Sequence, residues 1–240
     1  MIDLSQSGAV FTLTMNAGEN RWNTTFVRAF AAVLDEVEAS TGAAALVTTS
    51  ADAKFFSNGL DLAWVRDPAA HPEAGDREPF ADEFMKLMAR IITFPIPTIA
   101  AINGHAFGAG FMLSLCHDLR HMRADRGFIC ANEMQLGLAI PAPELALFRH
   151  KLPLNVFFET VQLARRWTGA EALAAGIVQA TASAEGLLSA ATARAAELAP
   201  LGANRALYRG QKEAIYGENG VLNGPHGAAW MLRHLDHYSH

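Results

Sequence analysis

The sequence is poor in charge and in cysteine. Charged residues make up 18% of its 240 positions and the net charge is -5. No run of Lys or Arg forms a basic stripe, which argues against a nucleic-acid partner. Its two cysteines, Cys116 and Cys130, sit in apolar contexts without Cys-x-x-Cys spacing, so they read as buried thiols of a reducing compartment. No stretch of about 18 uncharged apolar residues occurs, so no membrane span is expected. Met1-Ile2-Asp3-Leu4 lacks a basic region leading into an apolar one, and His237-Tyr238-Ser239-His240 is not a Ser-Lys-Leu address, so the expected location is cytoplasmic. Three motifs are also missing. Gly104-x-x-x-Gly108-x-Gly110 reverses the spacing of the dinucleotide fingerprint, and neither a P-loop nor a G-x-S-x-G elbow occurs.

What is abundant is apolar: 51% of residues, enough for a large core in one domain or one domain with a helical appendage. Val10–Met15 alternates like a strand, Gly18–Asn23 turns the chain, and Thr25 is expected to cap a helix whose apolar face is Phe26, Phe30, Val33, Leu34 and Val37. Ala44–Ser50 reads as a buried strand, Asp67–Glu78 as a mobile surface loop, and Phe80, Phe84, Leu87, Met88 and Ile91 as a second amphipathic helix closed by Pro95-Ile96-Pro97. Thr98–Ile102 is a further buried strand. Strand and helix in alternation imply an α/β chain with crossover units and a mostly parallel sheet. After a strand-like Gly127–Ala131 the pattern from Pro143 onward is mainly helical.

Two segments place glycine where a strand hands over to a helix: Lys54-Phe55-Phe56-Ser57-Asn58-Gly59-Leu60-Asp61-Leu62 and Asn103-Gly104-His105-Ala106-Phe107-Gly108-Ala109-Gly110-Phe111. Ligands bind beyond the carboxyl ends of parallel strands, and two such turns can aim two backbone amides at one oxygen. Either turn alone is as easily packing as catalysis. A third element is Glu133, in apolar company within Ala131-Asn132-Glu133-Met134-Gln135-Leu136-Gly137-Leu138. Desolvation there raises a carboxyl pKa and makes it a usable base.

Together these segments resemble the crotonase (enoyl-CoA hydratase/isomerase) superfamily, and Thr168-Gly169-Ala170-Glu171-Ala172-Leu173-Ala174-Ala175-Gly176-Ile177-Val178 resembles its downstream helix-and-strand signature. The resemblance implies a crotonase-like spiral of ββα units, carried by residues 1–190 with the CoA and oxyanion site. A helical C-terminal trimerisation region would occupy 191–240, assembled as a homotrimer or dimer of trimers. It implies an acyl-CoA thioester as substrate, the amides of Leu60 and Ala109 as oxyanion donors, and Ser57, Asn58, Gly59, Leu60, Asp61 and Leu62 lining the CoA channel beside Gly108. Lys54 would lie near the nucleotide phosphate. Family hydratases carry a second glutamate that falls here at Met112, and a thioether cannot activate water. One glutamate in an apolar pocket is the pattern of the family's Δ3,Δ2-enoyl-CoA isomerases, and Phe55–Trp64 with Arg126-Gly127 and Glu133 is similar to the plant peroxisomal ones. The implied reaction has Glu133 take a proton from C2 of a 3-enoyl-CoA and return one to C4. Met112, Phe111 and Leu138 would keep water out, and no metal, nicotinamide or flavin is expected. Another crotonase reaction, such as hydration, or a catalytically silent homologue are the alternatives.

Other polar residues receive smaller parts. Asp61 is expected to cap a loop, His105 to be a structural donor and Asp118 to bond locally. Glu144 is the one other carboxylate expected near the pocket rim. His234, His237 and His240 read as a solvated terminal helix and not as a metal-binding edge.

Overall fold

The computed structural model describes residues 1–218, 220–223 and 226–238. Among the described residues nine strands form two sheets. β1 (Ile2–Ser7), β2 (Val10–Met15), β3 (Ala45–Ser50), β5 (Thr98–Ile102), β7 (Leu119–Arg123) and β9 (Ala180–Ala182) make the larger sheet, in the order β1-β2-β3-β5-β7-β9. β4 (Phe55–Ser57), β6 (His105–Phe107) and β8 (Ile129–Cys130) make the smaller one. Apart from the antiparallel β1–β2 pair, every pairing is parallel. The chain places β3 in one sheet and β4 in the other before its helices. It repeats the step with β5 and β6, then with β7 and β8. That winding is the spiral of ββα units the resemblance implies, and it sets the ends of β4, β6 and β8 side by side.

The helices are α1 (Thr24–Ala39), α2 (Leu62–Arg66), α3 (Phe80–Ile92), α4 (Ala109–Cys116), α5 (Glu133–Leu136), α6 (Ala142–Lys151), α7 (Leu154–Val161), α8 (Gly169–Ala174), α9 (Leu187–Leu198), α10 (Arg205–Tyr216), α11 (Gly220–Asn223) and α12 (Ala228–Arg233). The start of α1 falls two residues before the expected one. Asn23 caps it, accepting from the Phe26 amide at 2.9 Å, while the Thr25 hydroxyl donates to Glu73 O at 2.8 Å. Phe26, Phe30, Leu34 and Val37 are buried as the spacing requires, with Val33 packed at the edge of the core. Residues 67–78 are more ordered than a mobile loop: two 3-10 turns, Pro68–Ala70 and Pro72–Ala74, are held by the Trp64 indole donating to Gly75 O at 2.9 Å. Thr168 and Glu171 form a reciprocal capping box at the start of α8.

The helical C-terminal region is continuous with the core. Ala228, Ala229 and Leu232 of α12 join the main buried cluster, and α9 packs on β3 and β5 through Ala191 and Ala195. The boundary drawn at residue 190 falls inside α9. Both cysteines are buried free thiols. Among the described residues no helix is long and apolar enough to cross a membrane.

Candidate active site

Two turns leave the smaller sheet close together. After β4 the chain runs through Asn58, Gly59 and Leu60 to Asp61, which caps α2 by accepting from the Trp64 amide at 3.3 Å. After β6 it passes Gly108 into α4. The first turn is pinned from beneath: the Trp22 amide donates to Gly59 O at 2.9 Å and the Asp61 amide to Trp22 O at 3.0 Å. Gly59 has φ +76, and a Cβ there would lie 2.9 Å from the Phe107 carbonyl oxygen and 3.8 Å from the Ala109 nitrogen. Only a residue without a side chain lets the turns close on each other.

The closure sets Leu60 and Ala109 on the wall of one cavity. Among the described residues neither amide donates to a protein acceptor. Ala109 opens α4, so its N–H is one of the orphan donors at the positive end of the helix dipole. The cavity has two lobes. The smaller, about 150 Å³, is bordered by Asn58, Gly59, Leu62, Gly108 and Asn132. The larger, about 380 Å³, is walled by Val65, Phe80, Phe84, Met85 and Pro141. Leu60, Ala109, Glu133 and Leu138 border both.

Glu133 opens the short helix α5, three residues beyond the end of β8. Its carboxylate occupies the space that a side chain at Gly108 would fill: a Cβ on Gly108, which has φ +49, would lie 2.9 Å from Glu133 Oε1. Glu133 Oε2 is buried with no hydrogen-bond partner. Desolvation raises the pKa of this carboxyl above its usual range, opposed by a hydrogen bond from its own amide. Such a group is poised to accept a proton from a bound substrate.

A second acid faces the same cavity. Glu144, in the first turn of α6, borders the larger lobe and makes no hydrogen bond to the described residues. Desolvation first, and then the charge of Glu133, push its pKa up to about 8, so it holds its proton at neutral pH.

The other sequence candidates are distributed unevenly. Asn58, Gly59, Leu62 and Gly108 reach the cavity. Ser57, expected along the channel, is buried beneath it: its hydroxyl donates to Asn20 O at 2.7 Å and accepts from the Gly59 amide at 3.4 Å. Asp61 borders a neighbouring polar cavity of about 410 Å³ and neither lobe. Lys54 borders neither lobe, its ammonium lying 4.8 Å from the Phe55 ring centroid. Phe111 and Met112 are fully buried and border neither lobe, so of the three residues expected to keep water out Leu138 alone meets the cavity. His105 accepts from the Phe128 amide at 3.2 Å and stacks on Phe107 and Phe128, an acceptor where a donor was expected, with burial holding its pKa down.

Asp118 bonds across the fold and not locally, accepting from the Thr98 amide, the Tyr208 hydroxyl and the Lys212 ammonium. His234 and His237 pack on Trp230, and His240 lies outside the described residues. Among the described residues no three or more His, Cys, Asp or Glu side chains are grouped to hold a metal ion. One site residue the sequence did not reveal is Arg21. It pairs with Glu19 at 2.7 Å and borders both the smaller lobe and the polar cavity. A lone arginine in a turn carries no spacing signal.

Comparison with known proteins points to one family, whose matching members include isomerases, hydratases and dehydratases. The family model for enoyl-CoA hydratase/isomerase matches residues 5–218. The peroxisomal enoyl-CoA delta isomerase 2 of Arabidopsis thaliana is 32% identical over 223 residues, 91% of this chain and 93% of that protein. An enoyl-CoA hydratase/isomerase family protein from Pseudomonas syringae superposes with a TM-score of 0.81 at 26% identity, covering 99% of this chain and 98% of that one. An enoyl-CoA isomerase from Mycobacterium tuberculosis superposes with a TM-score of 0.76 at 26% identity, covering 88% of this chain and 89% of that one.

Proposed function

This chain belongs to the enoyl-CoA hydratase/isomerase family, and from that premise we propose that it is a Δ3,Δ2-enoyl-CoA isomerase. The observation that carries the reading is Glu133: a carboxyl with one buried oxygen left unpartnered, beside two free amides. The thioester oxygen of a 3-enoyl-CoA sits between the N–H groups of Leu60 and Ala109, with the acyl chain in the apolar lobe. Glu133 removes a proton from C2, and the two amides stabilise the dienolate charge on the oxygen. A proton then arrives at C4 and leaves the 2-trans-enoyl-CoA. Proton transfer alone balances the reaction, so the scheme calls on no metal, nicotinamide or flavin.

The CoA moiety leaves the cavity past Asn58 and Gly59, where Arg21 offers a cation to its phosphates. The exposed Leu154, Phe158 and Leu163 give the chain an apolar face suited to a homotrimer or dimer of trimers. A cytoplasmic location is part of the same reading.

A second reading, hydration of a 2-enoyl-CoA, draws on Glu144, because a second carboxyl in the cavity supplies what Met112 cannot. The test is to incubate the protein separately with 3-enoyl-CoA and 2-enoyl-CoA and to identify products by mass and NMR. The isomerase reading expects the 2-trans isomer with no mass change from the first and no 3-hydroxyacyl-CoA from the second. A gain of 18 mass units (~18, one water added across the double bond) as the main product would establish hydration instead.

A further inference from the structure

The two carboxyls differ in which part of the cavity they border. Glu133 borders both lobes, next to Leu60 and Ala109, where the thioester carbonyl and C2 must lie. Glu144 borders only the apolar lobe, with Phe80, Phe84 and Met85, where the atoms beyond C2 must go. Resting on the isomerase reading, we propose that Glu144 is the proton donor to C4, so that two carboxyls divide the reaction that a single shuttling glutamate would otherwise perform alone.

The electrons balance. Glu133, as carboxylate, takes the C2 proton; the C2–H pair becomes the C1–C2 double bond and the thioester oxygen takes the negative charge. The dienolate collapses, the charge on oxygen returns to the carbonyl, and C2=C3 forms. The former C3=C4 pair takes the proton from the Glu144 carboxylic acid, making C4–H and leaving Glu144 as carboxylate. One proton has gone from C2 to Glu133 and one from Glu144 to C4. The resting state returns when the proton on Glu133 passes to Glu144, directly or through solvent.

The environments of the two acids fit this division. Burial and the neighbouring Glu133 charge keep Glu144 protonated at neutral pH. The two carboxyls face one apolar space, and like charges there favour a pair that shares one proton. Arg77 is the cation on the wall of that lobe, and its guanidinium donates to Val65 O at 2.7 Å, away from either acid's hydrogen bonding.

The experiment separates the two half-reactions. In D2O, deuterium uptake at C2 of 3-enoyl-CoA reports the step at Glu133, and formation of the 2-enoyl product reports both steps. Glu144→Gln keeps the shape and neutrality of the protonated acid, so it should melt no lower than the unmodified protein. We expect it to lose isomerisation by ~10²–10⁴, as for a general acid, while C2 exchange stays within a few-fold. Glu133→Gln should lose both, and Glu144→Asp, which keeps a transferable proton, should recover part of the isomerisation. Isomerisation by Glu144→Gln within a few-fold of the unmodified rate would overturn the relay, as would an equal loss of exchange and isomerisation. An unmodified protein that leaves 3-enoyl-CoA unisomerised would instead overturn the underlying isomerase reading, and the relay with it.

Discussion

Two buried acid sites in this protein are treated in opposite ways. Asp118, between α4 and β7, accepts from the Thr98 amide at 2.9 Å and the Tyr208 hydroxyl at 3.1 Å, and pairs with the Lys212 ammonium at 2.8 Å. Glu133 leaves one oxygen without any partner, and Glu144 shares its cavity with no hydrogen bond to the described residues. A native fold does not leave a buried carboxyl unsatisfied without cost. Where the acid is fully paired, it joins α10 to the sheet. Where it is left unpaired beside free amides, it is available to a substrate. Burial alone does not distinguish structure from chemistry; the partner does.

The contrast can be broken at several points. The largest effect on stability is expected at the paired site. Lys212→Met removes the buried partner of Asp118, and breaking such a pair costs about 3–5 kcal/mol. Denaturant melts should register that loss, while turnover per folded molecule stays within a few-fold. A matching fall in turnover would mean the two sites are coupled.

Next comes the oxyanion wall. Ala109→Pro deletes one N–H at the first position of α4, where proline is tolerated. Loss of a preorganised donor costs ~10²–10³ in kcat. Leu60→Ala keeps its amide and should lose much less. Circular dichroism and a CoA-binding measurement on both variants distinguish lost chemistry from lost fold.

A third effect is in the pH dependence of stability. The Glu144 carboxyl has its pKa pushed up to about 8 in the folded chain, from an ordinary value of 4.5. Between those values the native state holds a proton that the unfolded chain has released, so this contribution to stability falls as pH rises. It is complete below the unfolded value and lost through the folded one. The groups facing Glu144 are Glu133 across the cavity, Arg77 on its wall and the buried Cys116 thiol behind it. Melting scans from pH 5 to 8 should fall more steeply for the unmodified protein than for Glu144→Gln. Parallel curves would mean that the carboxyl is not desolvated.

The oxyanion wall was more legible in the sequence than the carboxyl wall, for a physical reason. Gly59 and Gly108 both occupy positive φ, and each lies where another group needs the space of a side chain. Glycine at a strand-to-helix turn is a local signal, readable within a few residues. The apolar strands Ala45–Ser50 and Thr98–Ile102 were equally plain because every residue in them is buried. β7 was not, since Leu119-Arg120-His121-Met122-Arg123 carries three basic side chains. Arg120 is buried because its guanidinium donates to the Ile177 and His117 carbonyl oxygens, a tertiary arrangement without a sequence period. β1 escaped notice because it is an exposed edge strand of mostly polar residues. Glu144 lies between these cases. Its sequence position suggested the rim, but only the approach of α6 to α3 across one cavity makes it a neighbour of Glu133.

The central claim is that Glu133, with its unpartnered oxygen, and not the paired Asp118, carries the reaction, and the turnover of Glu133→Gln on 3-enoyl-CoA tests it most directly. Burial already disfavours the ionised form of Glu133, so the neutral amide should not lower the melting temperature and should leave CoA affinity unchanged. Turnover should fall by ~10²–10⁴, the range for loss of a general base. A folded, CoA-binding Glu133→Gln protein that turns over within a few-fold of the unmodified chain would contradict the account.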